Sequence, residues 1–402
     1  MASPPSQALA LDRDLAHAEF DGSFSVEWLH QLRFTREAMA DDNSVLEQLL
    51  PDSDDQLRIL AVVDSGLAEN RPELPDSITS WCKRHDDRVT LAAKPLIITG
   101  GEQAKNGWDS YETTAQAIAS AGICRRSLVL IFGGGAVLDA AGFAAATAHR
   151  GVKVIRFPST TLAQGDAGIG VKNAINAFGM KNFLGTFSPP LAVINDTQLL
   201  TSLDDTHWRG GLSEAIKVAA LKNPELLRLI EDEADVLRQR DEKSLDAMER
   251  VMVESARLHM DHIVAGGDAF ETQHARPLDL GHWAAHRLEA RSDWTLSHGD
   301  AVAIGLGIDL TYATMIGRLE AQAADRVLKC LIKVGFSLQS PWLDDADELM
   351  QGIEEFREHL GGQLTIPLIS SLGTPDQVHE IDSAVMKAAI EAIRQGKTPS
   401  AG

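Results

Sequence analysis

The feature that most constrains this chain is a change of hydrophobic period partway along it. In the first half, short apolar, β-branched runs alternate with helical segments: LRILAVVD, PLIITG, SLVLIFGGG, VKVIRFPST and LAVIND, several of them ending in Gly or Asp. Between them lie stretches such as the Ala-rich AVLDAAGFAAATAHRG. Alternation of this kind specifies a parallel sheet with helices on its faces. From about Asp204 the runs ELLRLIEDEADVLRQ, LDAMERVMVESARLHMDHIV, AADRVLKCLIKV and ADELMQGIEEF carry helical periodicity, and no convincing strand follows. The expected fold is a doubly wound α/β N-terminal domain over residues 21–205 and an all-α C-terminal domain over 206–402, with 1–20 a flexible leader.

A length of 402 residues suits two such cores. The formal net charge of -21 argues against nucleic acid or an anionic membrane as partner. It leaves room for a small anion in a pocket that gathers positive charge locally. Cys82, Cys124 and Cys330 are scattered with no CxxC, which argues against a disulfide framework and for a reducing compartment. The first residues lack a cationic-then-apolar signal, and no run approaches ~18 apolar residues. A cytoplasmic protein is expected.

The strand Leu128 to Phe132 runs into Gly133, Gly134 and Gly135, and the helix that follows carries Asp139. Glycines there let the backbone approach a pyrophosphate, and the next helix start offers amides and a dipole. GGG alone is as often a tight turn, and it is not the GxGxxG fingerprint. Two neighbours strengthen it. Asp64 ends an earlier strand, where a carboxylate can hold a ribose, and GGEQAK (Gly100 to Lys105) follows another. The pattern is that of a Rossmann-like nucleotide site.

GHWAAH places His282 and His286 four residues apart on one helix face. HGDAVAIGLGIDL opens the next helix with His298, and WRGGLSEAIK sets Glu214 and Lys217 on a third. Any one histidine is more often packed than ligating, but a Glu and two His with an open position is the composition of catalytic zinc. Such a metal holds vicinal hydroxyls and acidifies one. The spacing leaves open which two of the three histidines are ligands. HRGVKVIRFPSTTLAQGDAGIGVKNAINAFGMKNFLGTFSPP supplies Arg150, Lys172, Lys181 and Asn182 among glycines and hydroxyls, which suits a phosphate monoester. Its length without a helix or strand period favours a functional loop over a solvated one.

In this order, GGGAVLDAAGFAAATAHRG, FPSTTLAQGDAGIGVKNAIN, MKNFLGTF, WRGGLSEAIK, LGHWAAH and HGDAVAIG resemble 3-dehydroquinate synthase and its relatives, the sugar-phosphate cyclases. The resemblance runs from about Asp64 to His298. It implies Glu214, His282 and His298 as zinc ligands, with cobalt as a substitute, and His286 near the substrate rather than on the metal. It implies Asp64, Glu102, Lys105, Gly134, Gly135, Asp139, Thr160, Thr161 and Lys181 as NAD-site residues. Lys172, Lys217, His286 and Asp166 are implied as catalytic and Asn182 as a substrate contact. Arg150 is similar to the arginine that, in the family's homodimer, reaches the substrate phosphate of the neighbouring subunit. The implied reaction oxidises a secondary hydroxyl with NAD, eliminates phosphate, reduces the ketone again and closes a ring by aldol addition. NAD is regenerated at each turnover.

The chain departs from the family at informative places. Dehydroquinate synthases usually read R-x-x-L-N-F-G-H before the GH motif, whereas HARPLDLGHW puts Asp279 at the asparagine position. Ala275 takes the arginine position and Arg276 is displaced by one. A helical lysine aligns with His259, the usual GGK is Gly170-Val171-Lys172, and FREHLGGQLTI places His359, with Arg357 close by, where a lysine is expected. A substrate carboxylate needs cations, and Asp279 would repel it by on the order of a few kcal/mol in a poorly solvated pocket. An aspartate instead accepts hydrogen bonds from hydroxyls. The expected substrate is a polyol phosphate without a carboxylate, contacted by Asp279, His359 and Arg357. The pattern is similar to that of sedoheptulose 7-phosphate cyclases of specialised metabolism, such as 2-epi-5-epi-valiolone synthase. The alternatives are a 3-dehydroquinate synthase acting on the carboxylate-bearing heptulosonate phosphate, and an iron-type, glycerol-dehydrogenase-like alcohol dehydrogenase. The latter would lack the phosphate-binding KN…KN stretch and would release NADH.

Overall fold

The computed structural model describes residues 21–266, 269–270, 278–359 and 364–397, so the expected leader lies outside the described residues. The strands of the first half are β1 (Leu32–Thr35), β2 (Leu57–Asp64), β3 (Val89–Leu91), β4 (Leu96–Ile98), β5 (Leu128–Gly133), β6 (Lys153–Pro158), β7 (Lys172–Ala177), β8 (Met180–Phe187) and β9 (Ala192–Asp196). Its helices are α1 (Val45–Gln48), α2 (Ser65–Asn70), α3 (Leu74–Arg84), α4 (Asp109–Ser120) and α5 (Gly135–Thr147). A seven-stranded parallel sheet runs β1-β9-β6-β5-β2-β3, and β4 pairs with the last residues of β2 where β3 pairs with the first. Alternate residues of β2 feed opposite faces. Ile59, Ala61 and Val63 join one core with Phe132 and Phe157, while Leu60 and Val62 join the other with Val137 and Leu138 of α5. Burial on both faces explains why these strands read as continuous apolar runs.

From β2 the chain moves to β3 and β4 on one side, then crosses to β5 on the other. The carboxyl ends of β2 and β5, bearing Asp64 and the glycine turn, therefore flank the topological switch point, where ligands bind in such sheets.

Two expectations need correction. The stretch after β6 is not a structureless loop: β7 and β8 form an antiparallel hairpin. Its strands are largely polar and exposed on β8, so no apolar alternation announces them. The turn is the two-residue Phe178-Gly179, both left-handed at φ 54° and 77°, the geometry that joins twisted antiparallel strands. The second half is helical but not all-α, because β10 (Ile366–Ser371) pairs antiparallel with β11 (Thr374–Val378). Pro367 inside IPLIS argues against a central strand, yet a two-stranded ribbon is all edge and tolerates it.

The helices of the second half are α6 (Asp205–Lys222), α7 (Pro224–Leu237), α8 (Glu242–Ala265), α9 (His282–Arg291), α10 (His298–Met315), α11 (Ala321–Lys333), α12 (Ala346–His359) and α13 (Ser383–Arg394). Gly299 and residues 301–313 of α10 are buried, on every face of the helix, which makes it the central one. Among the described residues no helix is long and apolar enough to cross a membrane.

Candidate active site

Three helices converge at the centre of the second half. α6 carries Glu214 and Lys217 one turn apart, α9 opens with His282, and α10 opens with His298. Glycines let the backbones close up. A Cβ on Gly299 would lie 2.6 Å from Gly210 Cα, and one on Gly281, which also sits at φ 78°, would lie 2.6 Å from the Leu306 amide nitrogen. Glu214 is fully buried, and its Oε1 lies 3.3 Å from Nε2 of both His282 and His298. Ligand atoms of the three fall within 4.8 Å of one another. Each imidazole turns its second nitrogen outward: His282 Nδ1 is 3.2 Å from the Leu280 carbonyl, and His298 Nδ1 is 3.3 Å from Glu289 Oε1. With Nδ1–H donating outward, Nε2 of each ring is the atom turned to the buried carboxylate and the one left for a cation. That donor set and orientation fit a catalytic zinc with one position left for substrate. His286 lies 5.5 Å from His282, ring to ring, and joins no such cluster among the described residues.

Beside this group, Lys217 is buried and ion-paired with Glu214. Burial opposes its charge, but Glu214, Asp166 and Asp279 together hold the ammonium above its ordinary pKa. Glu214 is held well below the carboxylate range in return, burial being outweighed by Lys217 and the two histidines. His259 Nε2 lies 3.1 Å from Asp166 Oδ1, and its Nδ1 is 3.0 Å from the Ser255 carbonyl. Against the cost of burial, the pair raises the imidazole and lowers the carboxyl. Asp166 occupies a single π-helical turn, Ala163–Ala167, a distortion frequent at functional sites.

At the sheet edge, Asp64 Oδ1 accepts the Gly66 amide at 2.8 Å. Gly100 passes so close that a Cβ there would collide with the same carboxylate. Gly134 caps α5 and Gly135 begins it, with no side chain capping that helix start, so its first amides remain for an anion. Thr160 lies alongside, its Cγ2 3.3 Å from where a Gly134 Cβ would be. Lys105 Nζ lies 2.5 Å from Asp139 Oδ2, and Glu102 accepts from the Asn176 amide at 3.3 Å.

Two further residues expected at the nucleotide make contacts of their own. The Thr161 hydroxyl donates to the His207 carbonyl at 2.8 Å and accepts the Gly211 amide at 2.9 Å, tying α6 to the sheet. The Lys181 ammonium lies 3.1 and 3.2 Å from the two Glu289 oxygens, next to the metal group. Lys172 opens β7, exposed, and Asn182 is held at φ 53° by its amide on Asn176 Oδ1. Arg150 stands beyond the far end of α5, ~20 Å from Gly134 at 1.5 Å per residue. It is left-handed at φ 65°, directly after His149 at φ 52°. Arg357 pairs with Glu354 of its own helix at 3.2 Å. Ala275, Arg276 and the side chain of His359 lie outside the described residues.

Three further residues support the site, and the sequence reading passed over them. Glu289 joins Lys181 to His298, and it shares a face with His282 and His286 at spacings of seven and three. Asp309 accepts the Gly281 amide at 2.7 Å and the Trp283 indole at 2.8 Å, gripping both neighbours of His282. Burial pushes its carboxyl up to about 7. Arg156 is buried in β6 and donates to the carbonyls of Gly168, Gly170 and Lys172 and to Asn173 Oδ1. A lone charge inside an apolar run, as in VKVIRF and GLGIDL, is the signal that could have found the last two.

Comparison with known proteins gives a consistent picture. Residues 95–210 match the model for the 3-dehydroquinate synthase N-terminal domain, and residues 211–356 match that for its C-terminal domain. The chain is 32% identical over 321 residues to 2-epi-valiolone synthase of Actinosynnema mirum, covering 77% of this chain and 82% of that one. It is 31% identical over 305 residues to 3-dehydroquinate synthase of Pseudomonas syringae pv. tomato, with 74% and 81% covered. Among solved structures it superposes on ValA, the 2-epi-5-epi-valiolone synthase of Streptomyces hygroscopicus subsp. jinggangensis 5008 with NAD+ and Zn2+ bound, at a TM-score of 0.84 and 25% identity. That match covers 94% of this chain and all of the other.

Proposed function

The chain belongs to the 3-dehydroquinate synthase family and is by that membership a sugar-phosphate cyclase; we propose that its substrate is sedoheptulose 7-phosphate and its product a valiolone-type cyclitol. One observation carries the choice. Asp279 stands half-buried in the field of Lys217, which also faces Asp166 and Glu214. A substrate carboxylate brought there meets three carboxylates, a repulsion on the order of a few kcal/mol, whereas substrate hydroxyls find acceptors. The valiolone-synthase relatives support the same reading.

In this proposal residues 21–205 bind nucleotide and residues 206–402 bind metal. NAD would lie along the glycine turn, with its ribose on Asp64 and its pyrophosphate at the start of α5, and Glu214, His282 and His298 would hold zinc. When bound, NAD supplies reversible oxidation of a secondary hydroxyl and zinc supplies polarisation of that oxygen. Lys172 and Asn182, on the two strands of the hairpin, bind the phosphate that leaves. Lys217 holds its proton beside the reacting oxygens, and Asp166, steadied by His259, orients the hydroxyl chain. His286 faces the same space without ligating. Arg150, by its resemblance to the family's intersubunit arginine, would serve the substrate phosphate of a second copy in a homodimer.

The test is kcat/KM on sedoheptulose 7-phosphate and, separately, on the carboxylate-bearing heptulosonate phosphate, with phosphate and NADH both followed. The expected result is phosphate release from the first substrate with no net NADH. Asp279→Ala should lower kcat/KM by about one to two decades, the roughly 1.5–3 kcal/mol of a hydrogen bond to a charged acceptor, and Asp279→Asn by less. Efficient turnover of the carboxylate substrate alone would make the protein a 3-dehydroquinate synthase. NADH formed in proportion to substrate consumed would make it an alcohol dehydrogenase.

A further inference from the structure

The phosphate-binding hairpin and the metal group meet at one buried carboxylate. Glu289 is 4% exposed, and neither the cyclisation chemistry nor the nucleotide needs it. On one side both its oxygens hold the Lys181 ammonium, 3.1 and 3.2 Å away. On the other, Oε1 lies 3.3 Å from His298 Nδ1, while His298 Nε2 faces Glu214. Lys181 belongs to β8, an exposed strand, and its ammonium also sits 5.0 Å above the Trp294 ring. Trp294 reaches that position through two consecutive left-handed residues, Asp293 at φ 49° and Trp294 at φ 62°. A bulky residue there costs of order 1–3 kcal/mol, and the surroundings must over-determine it.

We propose that Glu289 is a positioning residue with two separable tasks: it fixes the orientation of His298 toward the metal, and through Lys181 it docks the β7–β8 hairpin over the site. The first task follows from chemistry. A carboxylate accepting from Nδ1–H sets the tautomer and ring angle, and leaves the Nε2 lone pair for the cation. The second follows from burial. A charge as enclosed as Glu289 needs a cation, and Lys181 brings the hairpin with it. The inference rests on the family reading for the identity of the metal, but not on which sugar phosphate is the substrate.

The experiment separates the tasks by two readouts that require no turnover: zinc affinity of the intact protein by competition with a chelator, and hydrogen exchange of amides 172–187. Lys181→Met should leave zinc affinity within about threefold and speed hairpin exchange at least tenfold. Glu289→Ala should do both, weakening zinc on the order of 10- to 100-fold, the range for lost partners of metal-bound histidines. Glu289→Gln keeps an acceptor for Nδ1–H but loses the charge that holds Lys181, so it should recover most of the zinc affinity while the hairpin still exchanges fast. It also guards against a misfolded alanine variant. With substrate, Lys181→Met should raise KM more than it lowers kcat. Wild-type zinc affinity in Glu289→Ala, or wild-type hairpin exchange in Lys181→Met, would overturn the proposal. Failure of both sugar phosphates as substrates would instead defeat the functional reading and leave this result standing.

Discussion

His282 and His298 aim Nε2 at one oxygen of Glu214, and each is steadied through Nδ1 by a different partner. Removing any one of the three donors should therefore abolish tight zinc binding, since a three-ligand site has none to spare. Glu214→Ala, His282→Ala and His298→Ala are expected to purify without zinc, whereas His286→Ala keeps about one per chain. Metal analysis decides it, and full occupancy in His282→Ala would sink the assignment. The site should also respond to pH. Although burial disfavours its charge, Glu289 and Glu214 push the His298 imidazole up to about 10, so in the absence of metal it retains a proton. Zinc must displace that proton, and apparent affinity should strengthen by up to about tenfold per pH unit between pH 6 and 9. A flat profile would show that His298 is not a ligand.

The β7–β8 hairpin carries the proposed phosphate contacts Lys172 and Asn182, and Arg156 of the sheet holds its base. Arg156 has no carboxylate partner among the described residues; carbonyls of Gly168, Gly170 and Lys172 and the Asn173 side chain take the hydrogens of its two terminal nitrogens instead. Burial lowers its pKa, yet a guanidinium stays charged and must keep those acceptors. Arg156→Leu would leave them unmet inside the protein, a cost of about 2–4 kcal/mol. That cost should fall first on the hairpin, because its outer strand is exposed. Limited proteolysis of the folded variant should cut within residues 172–187 before global unfolding, which exchange protection of α10 would report. Simultaneous loss of hairpin and α10 protection would show Arg156 to be a global prop rather than a local one.

On the scale of the whole molecule, the arrangement predicts complementation between defective chains. Arg150 stands at the end of α5 away from the glycine turn, and in the proposed two-fold dimer it would serve the site of the second copy. Arg150→Ala and Glu214→Gln, each inactive or nearly so alone, should regain activity when unfolded together and refolded. Random pairing gives half mixed dimers with one sound site each, so roughly a quarter of wild-type activity is expected. No recovery beyond the sum of the separate proteins would mean that Arg150 acts in its own chain or not at all.

Local information sufficed for much of this. Continuous apolar runs ending in Gly or Asp specify buried parallel strands, because burial on both faces leaves no polar alternation, and an amphipathic second half specifies packed helices. The glycine turn and Asp64 were legible as residue types at strand ends, and Glu214 with His282, His286 and His298 as a candidate donor set, the resemblance alone choosing between the histidines. What the sequence could not settle depended on contacts between distant segments. The hairpin lacked a pattern because it is half solvated, and its signal was only a left-handed Phe-Gly pair. Which histidines share a carboxylate oxygen was decided by backbones touching at Gly210, Gly281 and Gly299, more than 70 residues apart across the first gap. The pairing of Lys181 with Glu289 has no signal along the chain: burial of Glu289 requires a cation, and folding places Lys181 within reach. Spacing carries a residue's chemistry along one helix; only the crossing of helices determines which charge it must neutralise.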